Sequence, residues 1–257
     1  MKCCRFCGAE ASLIKAHVIP EAFFRPLREG GESPLIVAGA KGILPKRAPI
    51  GIYDKELLCA SCEARFSPTD SYGVDVLLTR FTNHFEPVRQ DSQTVGYAGL
   101  AVDKIRLLEF LVSILWRASA SSQPFYNTVD LGVQEQTAKG SLFGSPPIVS
   151  ATFDAVLSVW SESDDDRIPT TALMNPHREQ WDGVNAYRLY LGKVVAYIKV
   201  DQQQFSEPFA SLSLQASGPC VLVARSLTGS NDIKAMRKTA LTSEANRQAF
   251  HAARKRT

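Results

Sequence analysis

Two Cys-x-x-Cys pairs, Cys4/Cys7 and Cys59/Cys62, constrain this chain more than any other feature in it. Thiols three positions apart on a tight knuckle reach the same ion, and two such pairs supply the four thiolates that a tetrahedral structural zinc needs. Cys3 adjoins Cys4 and could replace it through a Cys3-x-x-x-Cys7 spacing, but the two-residue gap repeated at Cys59 and Cys62 favours Cys4. Redox cysteines and an iron–sulfur cluster are the weaker readings of the same spacing. Residues 29–51, between the pairs, are rich in Gly and Pro. Such a stretch makes loop or irregular hairpin and buries little by itself. Metal binding and folding of this region are therefore expected to be coupled.

Five of the six cysteines lie within the first 62 residues, and Met1 is followed by Lys2 and two cysteines rather than by an apolar leader. This favours a metal site in a reducing cytoplasm over a secreted disulfide framework. The longest apolar stretch, Ile105 to Trp116, is twelve residues and contains Glu109; it is too short to cross a bilayer and reads as a buried helix. No membrane partner is expected. The formal charge of +3 does not by itself demand a polyanionic partner, but its distribution is uneven. Residues 1–50 carry eight Lys or Arg against four acids, and residues 231–257 carry seven against two. Basic ends fit nucleic-acid contact, and they equally fit solvated helices with no such role.

Periodicity gives an α+β chain. A short helix is expected over Pro20 to Leu27, and another containing Glu63 to Phe66 that stops before Pro68. Residues 70–86 repeat Tyr72, Val76, Leu77 and Phe81 at helical spacing. Val102 to Ala120 is apolar on most faces, as a central core helix would be. Ile148 to Trp160 reads as strand, residues 184–200 as two strands turning at Gly192-Lys193, and Cys220 to Ala224 as a further strand whose cysteine is a core thiol. Ser161 to Arg167, with three consecutive aspartates, reads as a solvated turn. Asp232 to Ala253 closes the chain as a helix. The organisation expected is a zinc-binding module over residues 1–90 and a larger mixed α+β domain over 91–257.

The motifs Cys4-Arg5-Phe6-Cys7-Gly8, Ala16-His17-Val18-Ile19-Pro20 and Glu56-Leu57-Leu58-Cys59-Ala60-Ser61-Cys62 follow one another in the order that resembles HNH-type endonucleases, the treble-clef or ββα-metal fold in its zinc-stabilised form. The resemblance covers about a quarter of the chain. It implies that His17 is the general base, because an imidazole titrates near neutral pH and can take a proton from water attacking a phosphodiester. It also implies a catalytic divalent ion, Mg, Mn or Ni, to offset charge on the phosphate. The family's ligands to that ion stand just before the base histidine and just after the last cysteine, which here are Ala16 and Glu63. Alanine cannot ligate. The family's central Asn falls near Lys55 or Glu56.

Two functions follow as expectations. One is an HNH-like nuclease with His17 and Glu63 as catalytic residues, its metal site completed by Asp70 or His84. The other is a catalytically inactive zinc module that binds nucleic acid or a protein partner. DNA is the favoured partner, with Arg5, Lys15, Arg25, Arg28 and Arg65 as candidate phosphate contacts. Glu63 also has a plainer role open to it at the start of its helix, where negative charge is favourable. His17 could be a hydrogen-bonded structural residue. His84 is expected as a surface or capping histidine, His177 in a loop, and His251 without a role.

Overall fold

The computed structural model describes residues 2–28, 35–36, 44–48, 50–144, 151–161 and 174–254. The acidic run expected as a turn, beyond Ser161, lies outside the described residues. The N-terminal third contains three two-residue antiparallel pairs: β1 (Lys2–Cys3) with β2 (Glu10–Ala11), β3 (Ala16–His17) with β6 (Tyr53–Asp54), and β4 (Leu35–Ile36) with β5 (Lys46–Arg47). Helix α1 (Ala60–Val74) follows, runs through a π-turn at Asp75–Thr79 and ends in the short α2 (Phe81–His84).

A seven-stranded sheet forms the rest. It contains β7 (Glu86–Gln90), β8 (Gln93–Gly99), β9 (Phe153–Trp160), β10 (His177–Trp181), β11 (Val184–Leu191), β12 (Val194–Val200) and β13 (Cys220–Arg225), in the order β10-β11-β12-β9-β13-β8-β7. Among the described residues its pairings are antiparallel except β13/β9, which is parallel. Helix α3 (Lys104–Ala120) lies between this sheet and α1, packing on β9 and β12 on one side and α1 on the other. The short α4 (Gln134–Ser141) packs on α3, α5 (Phe209–Leu212) on β9 and β13, and α6 (Asn231–Arg254) closes the described chain.

β11 and β12 read as nearly unbroken apolar runs because both faces of the sheet are covered. Leu189, Leu191, Val194, Ala196 and Ile198 join the core shared with α3, whereas Tyr190, Val195 and Tyr197 pack on the other face with Ile233 and Met236 of α6. Asp232, at the start of α6, binds this second face by charge. It accepts from the Tyr190 hydroxyl at 2.7 Å, from Arg188 at 2.7 Å and from Arg225 at 3.0 Å. Burial alone would raise its carboxyl, but the Tyr190 hydroxyl and the two guanidiniums outweigh that and hold it below the ordinary carboxylate range. The principal core is continuous from Cys4 to Leu222.

The structure changes three local expectations and adds a hairpin. The helix expected over Pro20–Leu27 is two 3-10 turns, Glu21–Phe24 and Pro26–Arg28; Pro26 has no N–H to continue the hydrogen-bond ladder of the first turn. Pro68 does not stop α1. Its ring costs one hydrogen bond, while buried Phe66, Thr69 and Gly73 on either side hold the helix against the core. The hairpin β7–β8 gave no apolar alternation, since every residue of β7 is exposed. Its two-residue turn, Asp91-Ser92, has positive φ at both positions, the conformation that matches strand twist. His177 lies in strand β10, not in a loop; that strand is polar because it forms the opposite edge.

Gly73 shows how tightly α1 and α3 approach. A Cβ placed there would overlap the Phe110 ring of α3. Gly73→Ala should cost about 1–3 kcal/mol by overpacking, although alanine favours an isolated helix. Urea unfolding of the two proteins checks this, and equal midpoints would contradict the packing.

Candidate metal centre and the surface around it

The knuckle that carries Cys4 and Cys7 is closed by backbone. Cys4 N–H donates to Ala9 O at 2.9 Å and Gly8 N–H to Cys4 O at 2.8 Å. Gly8 has φ +76°, a left-handed conformation that glycine adopts without strain. The second pair belongs to α1: Cys59 stands at its N-cap and Cys62 in its first turn. Two backbone bonds join the halves, Arg5 N–H to Leu57 O at 3.0 Å and Ile14 N–H to Leu58 O at 2.9 Å. The sulfurs of Cys4, Cys7, Cys59 and Cys62 consequently all lie within 4.8 Å of one another.

That cluster fits a metal such as zinc. Four sulfurs at about 2.3 Å from a tetrahedral ion are about 3.8 Å apart, and Cys7 Sγ to Cys59 Sγ is 3.9 Å. None of the six cysteines is in a disulfide. Cys3 is exposed and lies outside the cluster, while Cys4 is buried within it. The Ser61 hydroxyl and the Cys62 backbone N–H lower the Cys59 thiol to about 6. Burial and the three neighbouring sulfurs raise that of Cys62. A divalent cation would reverse that burden by favouring thiolate at all four positions. An ion held by all four thiolates would have no position open for chemistry, the arrangement of a structural site.

His17 lies on β3 opposite Tyr53. Its Nε2 is 2.8 Å from the Ile50 carbonyl, so Nε2 carries the proton and Nδ1 of the neutral ring is the basic nitrogen. Its own carbonyl accepts from Arg117 Nη1 at 2.9 Å. Ala16 is fully buried. Glu63 stands in the first turn of α1, where negative charge is favourable, and its Oε2 is buried without a hydrogen-bond partner among the described residues. Burial raises its carboxyl, Arg117 opposes that, and Asp70 adds to it.

The two residues named to complete a catalytic metal site are committed elsewhere. Asp70 takes a two-pronged ion pair from Arg117, at 2.6 and 2.8 Å. His84 Nε2 is 2.8 Å from Asp75 Oδ2, and Arg80 grips the same carboxylate. Glu63 and Asp70 line a shallow hollow of about 540 Å³ that Pro20, from the His17 segment, also reaches. Ile50, the partner of His17, lines a larger cavity of about 820 Å³. Of the candidate phosphate contacts, Arg5, Lys15, Arg25 and Arg65 are exposed and Arg28 is half-buried; Glu21 pairs with Arg28 at 3.1 Å and with Arg25 at 3.7 Å. Arg65 lies over the rings of Phe6 and Phe143, and Lys15 over Tyr53.

The sequence reading missed Arg117 and Asp54. Arg117 follows an apolar run, and a lone cation there was the available signal. Asp54 is fully buried beside His17's strand partner and accepts from Glu56 N–H, Ser121 Oγ and Ser122 N–H and Oγ. Burial alone would raise its carboxyl, but these four donors hold it below the usual range. Comparison of the chain with protein-family models, with curated proteins and with solved structures gave no match. Among the described residues no helix is long and apolar enough to cross a membrane.

Proposed function

We propose that residues 1–90 form a treble-clef, HNH-like module on a structural zinc, and that the chain hydrolyses phosphodiester bonds of nucleic acid, DNA foremost. The observation that carries this reading is the hydrogen bond from His17 Nε2 to the Ile50 carbonyl. A base needs an orienting partner on one nitrogen and a basic lone pair on the other, and that bond provides both. His17 Nδ1 then takes the proton of a water whose oxygen attacks phosphorus. The bond from phosphorus to the leaving oxygen breaks, and solvent supplies the proton for that oxygen. A divalent ion would supply charge neutralisation at the phosphate when bound. Glu63 fits as one of its ligands, since its buried Oε2 has no hydrogen-bond partner among the described residues; Ala16 does not.

A second reading has its own support. With alanine at one ligand position and Asp70 held by Arg117, the module would bind nucleic acid without cutting it. A cleavage assay on single- and double-stranded DNA and RNA with Mg, Mn or Ni separates the two. Hydrolysis should fall at least about a hundredfold in His17→Ala, with zinc content unchanged. Zinc-loaded wild type that cuts none of these substrates, yet binds them with affinity falling steeply in salt, establishes the binding module instead.

A further inference from the structure

The cavity beside His17 is made by two parts of the chain distant in sequence, residues 44–48 with 50–56, and the loop 122–125 after α3. Its wall combines three kinds of surface. Tyr53, half-buried, and Pro124 present flat apolar area; Lys46 and Lys55 stand exposed at the mouth; Gln123 is half-buried. The Gln123 amide offers both a donor and an acceptor, with no side-chain partner among the described residues. The walls are braced from beneath. Asp54 holds Ser121 and Ser122 of one stretch while sitting on the strand of the other, and buried Phe125 anchors the loop. The volume of about 820 Å³ falls in the range of small-molecule sites, about 300–1,000 Å³.

We propose that this cavity binds one nucleotide, with the base packed against Tyr53 and Pro124, its polar edge at Gln123 and its phosphate at Lys46 and Lys55. The inference rests on the nucleic-acid reading and narrows it. A base seated in this cavity, with its face on Tyr53 and its polar edge at Gln123, cannot be paired in a duplex at the same time, so it must come from a single strand or be turned out of the helix. Aromatic packing against a base tolerates sequence, and a polar side chain at its edge gives a preference. The Ile50 carbonyl that orients His17 belongs to the same wall, so a nucleotide held here would place its strand beside that histidine. The same chemistry would also recognise a free nucleoside monophosphate.

The test is fluorescence anisotropy on the full, zinc-loaded chain, using a labelled single-stranded oligonucleotide, the matching duplex, and the four nucleoside 5′-monophosphates as competitors. The variants are Lys46→Ala/Lys55→Ala and Gln123→Ala; the two lysines are exposed and the Gln123 side chain makes no hydrogen bond among the described residues, so their folds are expected to survive. The single strand should bind about tenfold more tightly than the duplex. The double lysine variant should lose about tenfold, and its log–log salt slope should shrink by about 1.4, the value for two single-strand phosphate contacts. Gln123→Ala should flatten preferences among homopolymers. Monophosphates that bind with the same sensitivity to these variants, while no oligonucleotide binds, keep the pocket and overturn the strand-directed function. Oligonucleotides that bind equally well to wild type and both variants keep the function and overturn the pocket.

Discussion

Removing the metal should unfold the N-terminal third of this chain. One zinc per chain is expected by elemental analysis, with Cys62→Ser losing it and Cys3→Ser keeping it, because Cys3 lies outside the cluster. The expected size follows from what the cysteines hold. Apparent binding free energies for structural zinc run to about 10–16 kcal/mol in small zinc modules, comparable to the whole stability of an ordinary domain. Between Cys4 and Cys7 sits Phe6, whose ring meets Phe66, Trp116 and Phe143 at 5.3, 5.1 and 5.7 Å between centroids. A knuckle freed from the metal withdraws that ring and exposes an aromatic cluster reaching α3. Chelation should therefore lower the Tm by tens of degrees, shift Trp fluorescence to the red and open residues 1–90 to protease. Unchanged melting and proteolysis in protein shown to be metal-free would exclude a structural role for the cluster.

That centre was legible because its signal is local: two knuckles of fixed spacing, each needing only four residues. α3, β9, β11, β12 and β13 were legible for a related reason, since elements covered on both sides must be continuously apolar. The edges were not. β7 and β10 are polar, and their pairing is decided by their neighbours, not by their own residues. Pro68 misled because a helix terminator by local rule was outweighed by what Phe66 and Gly73 pack against. The surroundings of His17 were the least legible. Its motif marked the residue, but the partners that define its state, Ile50 and Arg117, are 33 and 100 positions away. The cavity likewise brings together two stretches without any periodic pattern between them.

Arg117→Ala should be the most damaging single change outside the cysteines. The side chain is fully buried, and each of its five N–H donors has a match. Two go to Asp70, one to the His17 carbonyl at 2.9 Å, and two to Ser113, through its carbonyl at 3.2 Å and its hydroxyl at 3.1 Å. Phe66 lies against the guanidinium, 4.9 Å from ring centroid to Cζ. One cation thus joins α3, α1 and the strand that carries His17. Truncation leaves Asp70 and Glu63 close together without their counter-charge, orphans the His17 carbonyl and opens a cavity. Breaking a buried pair in this way costs about 3–5 kcal/mol. Asp70 retains some exposure, 18% of its side chain, which places the expected loss toward the lower end. Replacing both partners with apolar residues, Arg117→Met with Asp70→Leu, should recover part of it, because the Asp70 charge is then no longer stranded, while Glu63 and the His17 carbonyl still lack the guanidinium. Denaturant unfolding of the single and double variants measures both numbers. A single variant within about 1 kcal/mol of wild type would mean that the ion pair does not hold these three elements together.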